Sequence, residues 1–206
     1  MKLEQIAQRI FNVTAESAKE LGMSFVRPQE HYESAQFRGK VFSFDEFKKD
    51  KQNRADVINF EYNLETNIFN LQRELQYHTY KHNVYSGFRI CDPKPRIIHK
   101  ATVRDRVLHH AIFRVLNPLF EPTFIPHSYS CRVGKGTHKG VDAINKMLRC
   151  ASRNNRQTCY ALKCDIQKFF SSVDHQILLK IIKRKIKDTD ITWLMEEIVG
   201  SFGVES

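Results

Sequence analysis

The sequence has no long apolar run, and this excludes a membrane channel. No stretch of its 206 residues approaches the ~18 consecutive apolar side chains that a bilayer span requires. Residues 1–12 mix charged and apolar side chains, whereas a secretory signal peptide has an uninterrupted apolar core. Glycine (8) and proline (6) are scarce, so long flexible linkers are not expected. We therefore expect a cytoplasmic protein of one or two domains without a membrane partner.

Cysteine is too sparse and too irregularly spaced for a disulfide framework or a zinc ribbon. The five residues are an odd number and form no Cys-x-x-Cys pair. We expect reduced, mostly buried thiols. The residues concerned are Cys91, Cys131, Cys150, Cys159 and Cys164.

Positive charge is concentrated in one part of the chain. The formal net charge is +10, and segments 1–88, 89–163 and 164–206 carry 0, +11 and −1. Because phosphate neutralisation is the main sequence-independent source of nucleic-acid affinity, this distribution predicts a polyanion-binding surface in the middle segment. Basic residues on solvated helix faces would give the same charge, and that alternative stays open.

The apolar spacing predicts a mostly helical chain. Two apolar stripes on the helix that begins at Val103 predict burial on both of its sides. Asp174 is expected to cap its helix, because its side chain can accept from the free amides of the first turn. Residues 26–55 are expected to form an irregular arm. The predicted helices lie within 3–21, at about 58–77, from Val103 to Asn117 and Pro118, at 138–148, from near Asp174, and at about 190–200.

Two segments are predicted to be extended. Residues 88–99 alternate apolar and basic side chains around Pro93 and Pro95, which predicts a β-hairpin. The segment CYALKCD (159–165) is β-prone and ends in Asp165, and a loop is expected over 166–172. A carboxylate at a strand end can hold a divalent metal, although taken alone it is equally an ordinary turn or cap residue.

Two other motif interpretations do not fit the spacing. The letters GKGT at 134–137 lack the upstream glycine of a P-loop, and the lysine precedes glycine rather than Ser or Thr. The histidines are expected to serve structure or polar networks, because neighbouring positions on a helix face different directions and no second ligand pair follows. The metal-ligand sets considered were His109 with His110, and His127 with Cys131 and His138.

Three segments resemble, in order and spacing, the fingers and first palm segment of reverse transcriptases. They are PKPRIIHKATVRDRVLHHAIFRVLNPLFEP (93–122), SYSCRVGKGTHKGVDAI (128–144) and YALKCDIQKFFSSVDHQILL (160–179). The sequence is most similar to the bacterial enzymes of diversity-generating retroelements, and group II intron and retron enzymes are more distant. The resemblance covers about 58–200. It implies a helix-rich α+β right-hand polymerase fold, truncated before the catalytic Tyr-x-Asp-Asp hairpin and the thumb.

The resemblance also implies domains and metal-site residues. Residues 1–57 would be an N-terminal extension, 58–156 the fingers and 157–206 the start of an incomplete palm. Asp165 matches the first metal-binding aspartate, with the Ile166 carbonyl beside it, and the implied cofactor is Mg²⁺. Phe170 matches the aromatic residue under the sugar that disfavours a ribonucleotide, which leaves Phe169 as a core residue.

Further basic residues match positions around the incoming nucleotide. Arg96 is the strongest candidate on the hairpin, because a guanidinium holds two phosphate oxygens in a fixed geometry. Solvated strand residues and a plain glycine turn are the structural alternatives. The nucleotide-binding candidates are Arg89, Lys94, Arg96 and Phe170, and the nucleic-acid-binding candidates are Arg132, Lys135 and His138.

The sequence departs from the family in its carboxylates. No Asp-Asp pair occurs in the 206 residues, and one aspartate cannot hold two metal ions roughly 4 Å apart. We therefore expect this chain to be inactive by itself, as part of an incomplete gene, as a shortened relative or as half of a split polymerase. The implied partners are an RNA template with a DNA primer, deoxynucleoside triphosphates and a small basic accessory protein. The alternative is a non-catalytic RNA-binding module that uses residues 89–163.

Overall fold

The computed structural model describes residues 44, 47–91 and 94–203. The predicted N-terminal helix and most of the predicted arm at 26–55 lie outside the described residues. The fold is a helix-rich α+β arrangement with a small two-stranded sheet, as predicted. The described helices are all too short or too polar to cross a membrane. The elements are α1 (Ala55–Tyr62), α2 (Leu64–Gln76), β1 (Ser86–Cys91), β2 (Pro95–Lys100), α3 (Val103–Phe120), a 3₁₀ turn (Glu121–Thr123), α4 (Thr137–Ala151), α5 (Phe169–Ser172), α6 (His175–Lys185) and α7 (Thr189–Gly200).

The described chain divides into two compact units. The first unit contains the described residues up to Val115 together with those from Asp174 onward, and the second contains Leu116–Val173. This division follows packing within the chain. The division into fingers and palm stays a prediction.

Helices α2 and α3 supply much of the core of the first unit. On α2 the buried side chains fall at helical spacing and include Ile68 and Leu71. Both predicted stripes of α3 are buried, which confirms that this helix is covered on two sides. Each buried Val, Leu or Ile side chain stabilises the fold by about 2 kcal/mol through its removal from water. The buried α3 side chains are Val103, Val107, Leu108, Ala111, Ile112, Val115 and Leu116.

The predicted helix at 58–77 is divided in two by Asn63. Its backbone (φ −114°, ψ 35°) is not helical, and asparagine readily leaves the helix because its side chain competes for backbone hydrogen bonds. The Asn67 side-chain amide donates to the Phe60 carbonyl at 3.0 Å, which satisfies an acceptor at the end of α1. The prediction of one continuous helix was therefore wrong.

Helix α3 also runs past its predicted end. Proline at position 118 lies inside the helix, which continues to Phe120 and then enters the 3₁₀ turn. Proline removes one backbone hydrogen bond, and within the last turn of a long helix that loss does not end the helix. The end predicted at Asn117 was wrong for this reason.

The predicted hairpin is confirmed, with strands that extend slightly further than 88–99. The strands pair antiparallel, from Ser86 opposite Lys100 to Cys91 opposite Pro95. Arg89 pairs with Ile97, and Ile90 pairs with Arg96.

The second unit contains two features that contradict the predictions. Residues 159–165 form no strand, and Tyr160 and Leu162 are about nine-tenths exposed. A β-prone segment becomes a strand only when a neighbouring strand completes its hydrogen bonds, and no such neighbour is described here. In place of the loop expected over 166–172, the short helix α5 begins at Phe169.

The cysteines are not buried as predicted. Cys91, Cys131, Cys150 and Cys164 are exposed, and Cys159 is half-buried. The reason is that four of the five lie in the second unit, where Ser152 is the only buried residue of 117–173. All five thiols are free.

Helices α6 and α7 form a helical hairpin with capped starts. The Asp174 side chain accepts from the Ile177 amide at 3.0 Å, which confirms the predicted cap of α6. Asp188 caps α7 in the same way, accepting from Ile191 at 3.0 Å. Helix α7 covers the predicted range of about 190–200.

Candidate nucleic-acid interface

The hairpin presents three of the predicted cationic side chains to solvent. Arg89, Lys94 and Arg96 are all exposed, and Arg89, Pro95, Arg96 and Ile97 line a shallow open depression. A cation in such a position is free to meet a phosphate group without first losing a protein partner that would have to be replaced.

The strand register separates two of these arginines. Successive side chains of a strand point to opposite faces, and residues that pair directly across an antiparallel sheet share a face. Arg89 shares a face with Ile97, and Arg96 shares the other face with Ile90. The Arg89 and Arg96 side chains therefore leave the hairpin on opposite faces. Their guanidinium groups could meet one phosphate only if both side chains extended around the edge of the sheet.

The base of the hairpin is fixed by a buried carboxylate that the sequence did not single out. Asp105, in the first turn of α3, is fully buried. One of its oxygens accepts from the Tyr80 hydroxyl at 2.9 Å and from Arg104 Nη1 at 3.1 Å. The other accepts from the Thr102 hydroxyl at 2.6 Å and from the Asn83 amide at 3.2 Å. All the acceptor capacity of this buried group is thus used.

These contacts join the two chain segments that enter and leave the hairpin. Asn83 precedes β1, Thr102 follows β2, and both meet the same carboxylate at the start of α3. Arg104 extends the network by pairing with Glu74 of α2, and its guanidinium carbon lies 4.8 Å from the centre of the Tyr80 ring. Burial, together with the nearby Asp105 charge, raises the pKa of Tyr80, so its hydroxyl remains a donor.

A second carboxylate holds the end of β2. Asp56 of α1 accepts from Lys100 Nζ at 2.6 Å and from Arg106 Nη2 at 2.6 Å. Partial burial acts to raise its pKa, but the hydrogen bonds and charges of Lys100 and Arg106 outweigh this and lower the pKa of Asp56. The hairpin base is therefore attached to α1 as well as to α3.

A stack of rings lies beside this network. His82 stacks on Tyr85 with 4.7 Å between ring centres and on His109 with 5.2 Å. The Nε2 atoms of His82 and His109 are buried, and neither has a hydrogen-bond partner among the described residues. Burial, reinforced by the neighbouring His82, lowers the pKa of His109 to about 4, so this imidazole is neutral at neutral pH.

In the second unit, two residues that were predicted to bind nucleic acid make hydrogen bonds within their own loop. Arg132 Nε donates to Glu121 at 2.8 Å, and its Nη1 donates to the carbonyl groups of Ile125 and Ser128 at 3.0 and 3.1 Å. Its side chain is only 11% exposed. Lys135 Nζ donates to the Pro126 carbonyl at 2.7 Å. These cations therefore have structural contacts, and their binding roles stay predictions.

The remaining predicted residues of this loop surround the start of α4. His138 is exposed in the first turn of that helix. Gly136 precedes the helix with φ 108°, a conformation that disfavours any side chain and so requires glycine here.

The predicted metal and sugar residues are exposed side chains of the second unit. Asp165, Ile166 and Phe170 are all exposed, the last by 81%. Phe169 packs edge-on against Phe170 with 5.3 Å between ring centres, but it is itself 49% exposed. The expectation that Phe169 is a core residue was therefore wrong, because nothing in the described chain covers α5.

The described residues do not by themselves fit a two-metal centre. Within 44, 47–91 and 94–203, no three His, Cys, Asp or Glu side chains are grouped closely enough to hold a metal ion. A Mg²⁺ site of the implied kind needs several carboxylate oxygens, and Asp165 supplies only one side chain.

The sequence contained a signal for Asp105, although its role was missed. Thr102 and Asp105 have the spacing of a helix-capping pair, in which the first side chain meets the amide three residues on. The Asp105 amide indeed donates to Thr102 at 3.4 Å. The contacts with Tyr80 and Asn83 depend on chain folding and carry no local signal.

Comparison with known proteins shows a distant and partial similarity. No family model matches the chain. It is 26% identical over 94 residues to Protein YkfC of Escherichia coli (strain K12), which is 45% of this chain and 24% of that protein. It is 25% identical over 93 residues to Nuclear intron maturase 1, mitochondrial, of Arabidopsis thaliana, which is 45% of this chain and 12% of that protein. The second similarity points to a reverse-transcriptase-related family at a distance. The matched stretch spans a quarter or less of either relative.

Proposed function

We propose that this chain is the nucleotide- and template-binding part of a reverse-transcriptase-related, RNA-directed DNA polymerase. The observation that carries the proposal is the hairpin. The hairpin exposes Lys94 and Arg96, the residues that the reverse-transcriptase resemblance assigns to contacts with the incoming nucleotide. The partial similarity to an intron maturase supports the same family.

Each site residue has a role in this proposal. Lys94 and Arg96 neutralise the triphosphate of a deoxynucleotide, and Arg89 neutralises phosphate from the other face of the hairpin. Phe170 lies under the sugar and disfavours a 2′ hydroxyl. Asp165, with the Ile166 carbonyl, provides one part of a Mg²⁺ site that needs carboxylates from outside these residues.

The basic residues of segment 89–163 would bind the RNA template and its DNA primer. Segment 89–163 carries 15 basic and 4 acidic side chains, so neutralisation of phosphate supplies affinity without sequence preference. His138 at the start of α4 is exposed toward solvent, and Arg132 and Lys135 shape the loop that precedes it. A small basic accessory protein remains a partner implied by the resemblance alone.

A non-catalytic RNA-binding module is the second candidate. It is favoured by the charge of segment 89–163. Both candidates predict RNA binding, but only the first requires paired aspartates further along the gene.

Sequencing the DNA that follows codon 206 separates the two candidates. The polymerase proposal expects paired aspartates in a downstream reading frame, and their absence in every frame would leave the RNA-binding module. If they are found, Asp165→Asn in the longer protein should abolish primer extension and preserve RNA affinity. Unchanged primer extension by that variant would contradict the proposed role of Asp165.

A further inference from the structure

We propose that Asp105 is the positioning residue of the hairpin: its carboxylate sets the orientation of Lys94 and Arg96 toward phosphate by holding both hairpin ends on α3. This inference rests on the proposed function for its phosphate ligand. The fixation of the hairpin itself rests only on the structure.

The first support is the completeness of the contacts. Asp105 is fully buried and accepts from one donor on each side of the hairpin, Asn83 before β1 and Thr102 after β2. Tyr80 and Arg104 supply the other two hydrogen bonds. A buried carboxylate whose acceptor sites are all used has one low-energy position, so the groups bound to it are fixed as well.

The second support is the length of the hairpin, because a small rotation at its base displaces its tip by a larger distance. Each strand has six residues, so the five intervals from the base of the hairpin to its tip span roughly 17 Å at about 3.3 Å per residue. A rotation of about 10° at the base would therefore move the tip by roughly 3 Å, whereas binding groups must be held to within about 0.5 Å of their productive position. A small rotation at Asp105 thus causes a large displacement of Lys94 and Arg96.

The third support is chemical: asparagine cannot replace this aspartate. An asparagine amide has one oxygen and one NH₂ group. The NH₂ group would take the place of one carboxylate oxygen and would point at groups that themselves donate hydrogen bonds. In one orientation the NH₂ group meets Arg104, and in the other it meets the backbone N–H of Asn83. Neither of these two groups can accept a hydrogen bond. Asp105→Asn therefore loosens the hairpin base while almost preserving side-chain volume.

The experiment uses the full chain with Cys91 as the attachment point for a spin label, because this thiol is exposed on the hairpin. The other four cysteines are replaced by serine. Label mobility is measured by electron paramagnetic resonance in the parent, in Asp105→Asn and in Thr102→Val. The second variant removes one hydroxyl, with its hydrogen bonds to the Asp105 carboxylate and amide and to Asn83, and leaves the other three donors to the carboxylate in place. A label at Gln176→Cys on α6, with Cys91 also replaced by serine, serves as the control position. Ile182→Ala, which truncates a buried side chain of α6, serves as the destabilised variant.

The expected result is a more mobile label at Cys91 in Asp105→Asn, a smaller increase in Thr102→Val, and no change at the α6 position. Ile182→Ala should leave the Cys91 label as in the parent at temperatures where it is folded. If Asp105→Asn does not fold, Thr102→Val decides the question. An unchanged Cys91 label in the folded variants would overturn the proposal.

The functional readout is the salt dependence of binding to a single-stranded 20-nucleotide RNA. Loss of the two hairpin contacts should reduce the magnitude of the log–log slope by roughly 1.4 in Asp105→Asn. A partly unfolded population would lower the apparent affinity without changing this slope. A mobile label with an unchanged slope would overturn the positioning of phosphate contacts. Absence of RNA binding by the parent would instead refute the proposed function, and the label would still report whether Asp105 fixes the hairpin.

Discussion

At the scale of single residues, capping is a contribution that can be isolated. Asp174 accepts from the Ile177 amide at 3.0 Å at the start of α6. Asp174→Ala should lower the free energy of unfolding by about 1 kcal/mol, because it leaves amides of the first turn without a partner. Urea denaturation measures this change. Asp142→Ala, in the exposed middle of α4, is the matched control, and equal effects of the two variants would refute the capping role.

His109 predicts a dependence of stability on pH. Burial lowers its pKa from 6.5 to about 4 in the folded chain, so the unfolded chain binds the proton more readily between these values. Stability is therefore complete above about pH 6.5 and is lost as the pH falls toward 4, with a loss of about 2 kcal/mol between pH 7 and 5. Urea unfolding at several pH values measures it.

The control for this prediction is His109→Gln, which keeps a polar group but does not titrate. The variant should lose less stability than the parent between pH 7 and 5. Parallel profiles for the two proteins would show that the acid sensitivity arises from other groups.

At the scale of elements, the phosphate contacts proposed for the hairpin can be tested by removing their charge. Removing Lys94 and Arg96 together should reduce the magnitude of the salt slope for single-stranded RNA by roughly 1.4, as expected for two lost phosphate contacts. Lys180→Ala with Lys187→Ala removes the same charge from the α6 region and is the matched control. Equal slopes for the two double variants would mean that RNA binding depends on the net charge of the chain and not on the hairpin contacts.

Elements with a strong local pattern were predictable, and elements that need a distant partner were not. The hairpin, the Asp174 cap and the buried stripes of α3 follow from alternation, capping chemistry and helical spacing, all of which are local. The failed strand at 159–165 required a neighbouring strand that is not among the described residues. The role of Asp105 required Tyr80, 25 residues away, and no local pattern encodes that contact.

The candidate site was predictable to the same extent. Lys94 and Arg96 were expected on an exposed hairpin and are found there. Arg132 was predicted to bind nucleic acid because of its charge and its place in the turn. Its guanidinium donates to Glu121 and to two carbonyl groups, and spacing in the sequence could not show these contacts. Asp165 stays a predicted metal ligand.

At the scale of the whole molecule, the two units should differ in local stability. In the second unit the apolar side chains of α4 remain about half exposed, including Val141 and Ile144, whereas α2 and α3 are packed in a core. Few buried apolar contacts allow local opening at low free-energy cost. Hydrogen exchange of the full chain should therefore show faster exchange in α4 than in α2 and α3. Equal protection in the three helices would contradict this difference.

The basic middle segment is proposed to bind nucleic-acid phosphate, and the salt dependence of RNA binding by the full chain tests this proposal most directly. The affinity for a single-stranded 20-nucleotide RNA is measured from low to moderate salt. About six phosphate contacts predict a log–log slope of about −4. A slope near zero, or no binding at low salt, would contradict the claim.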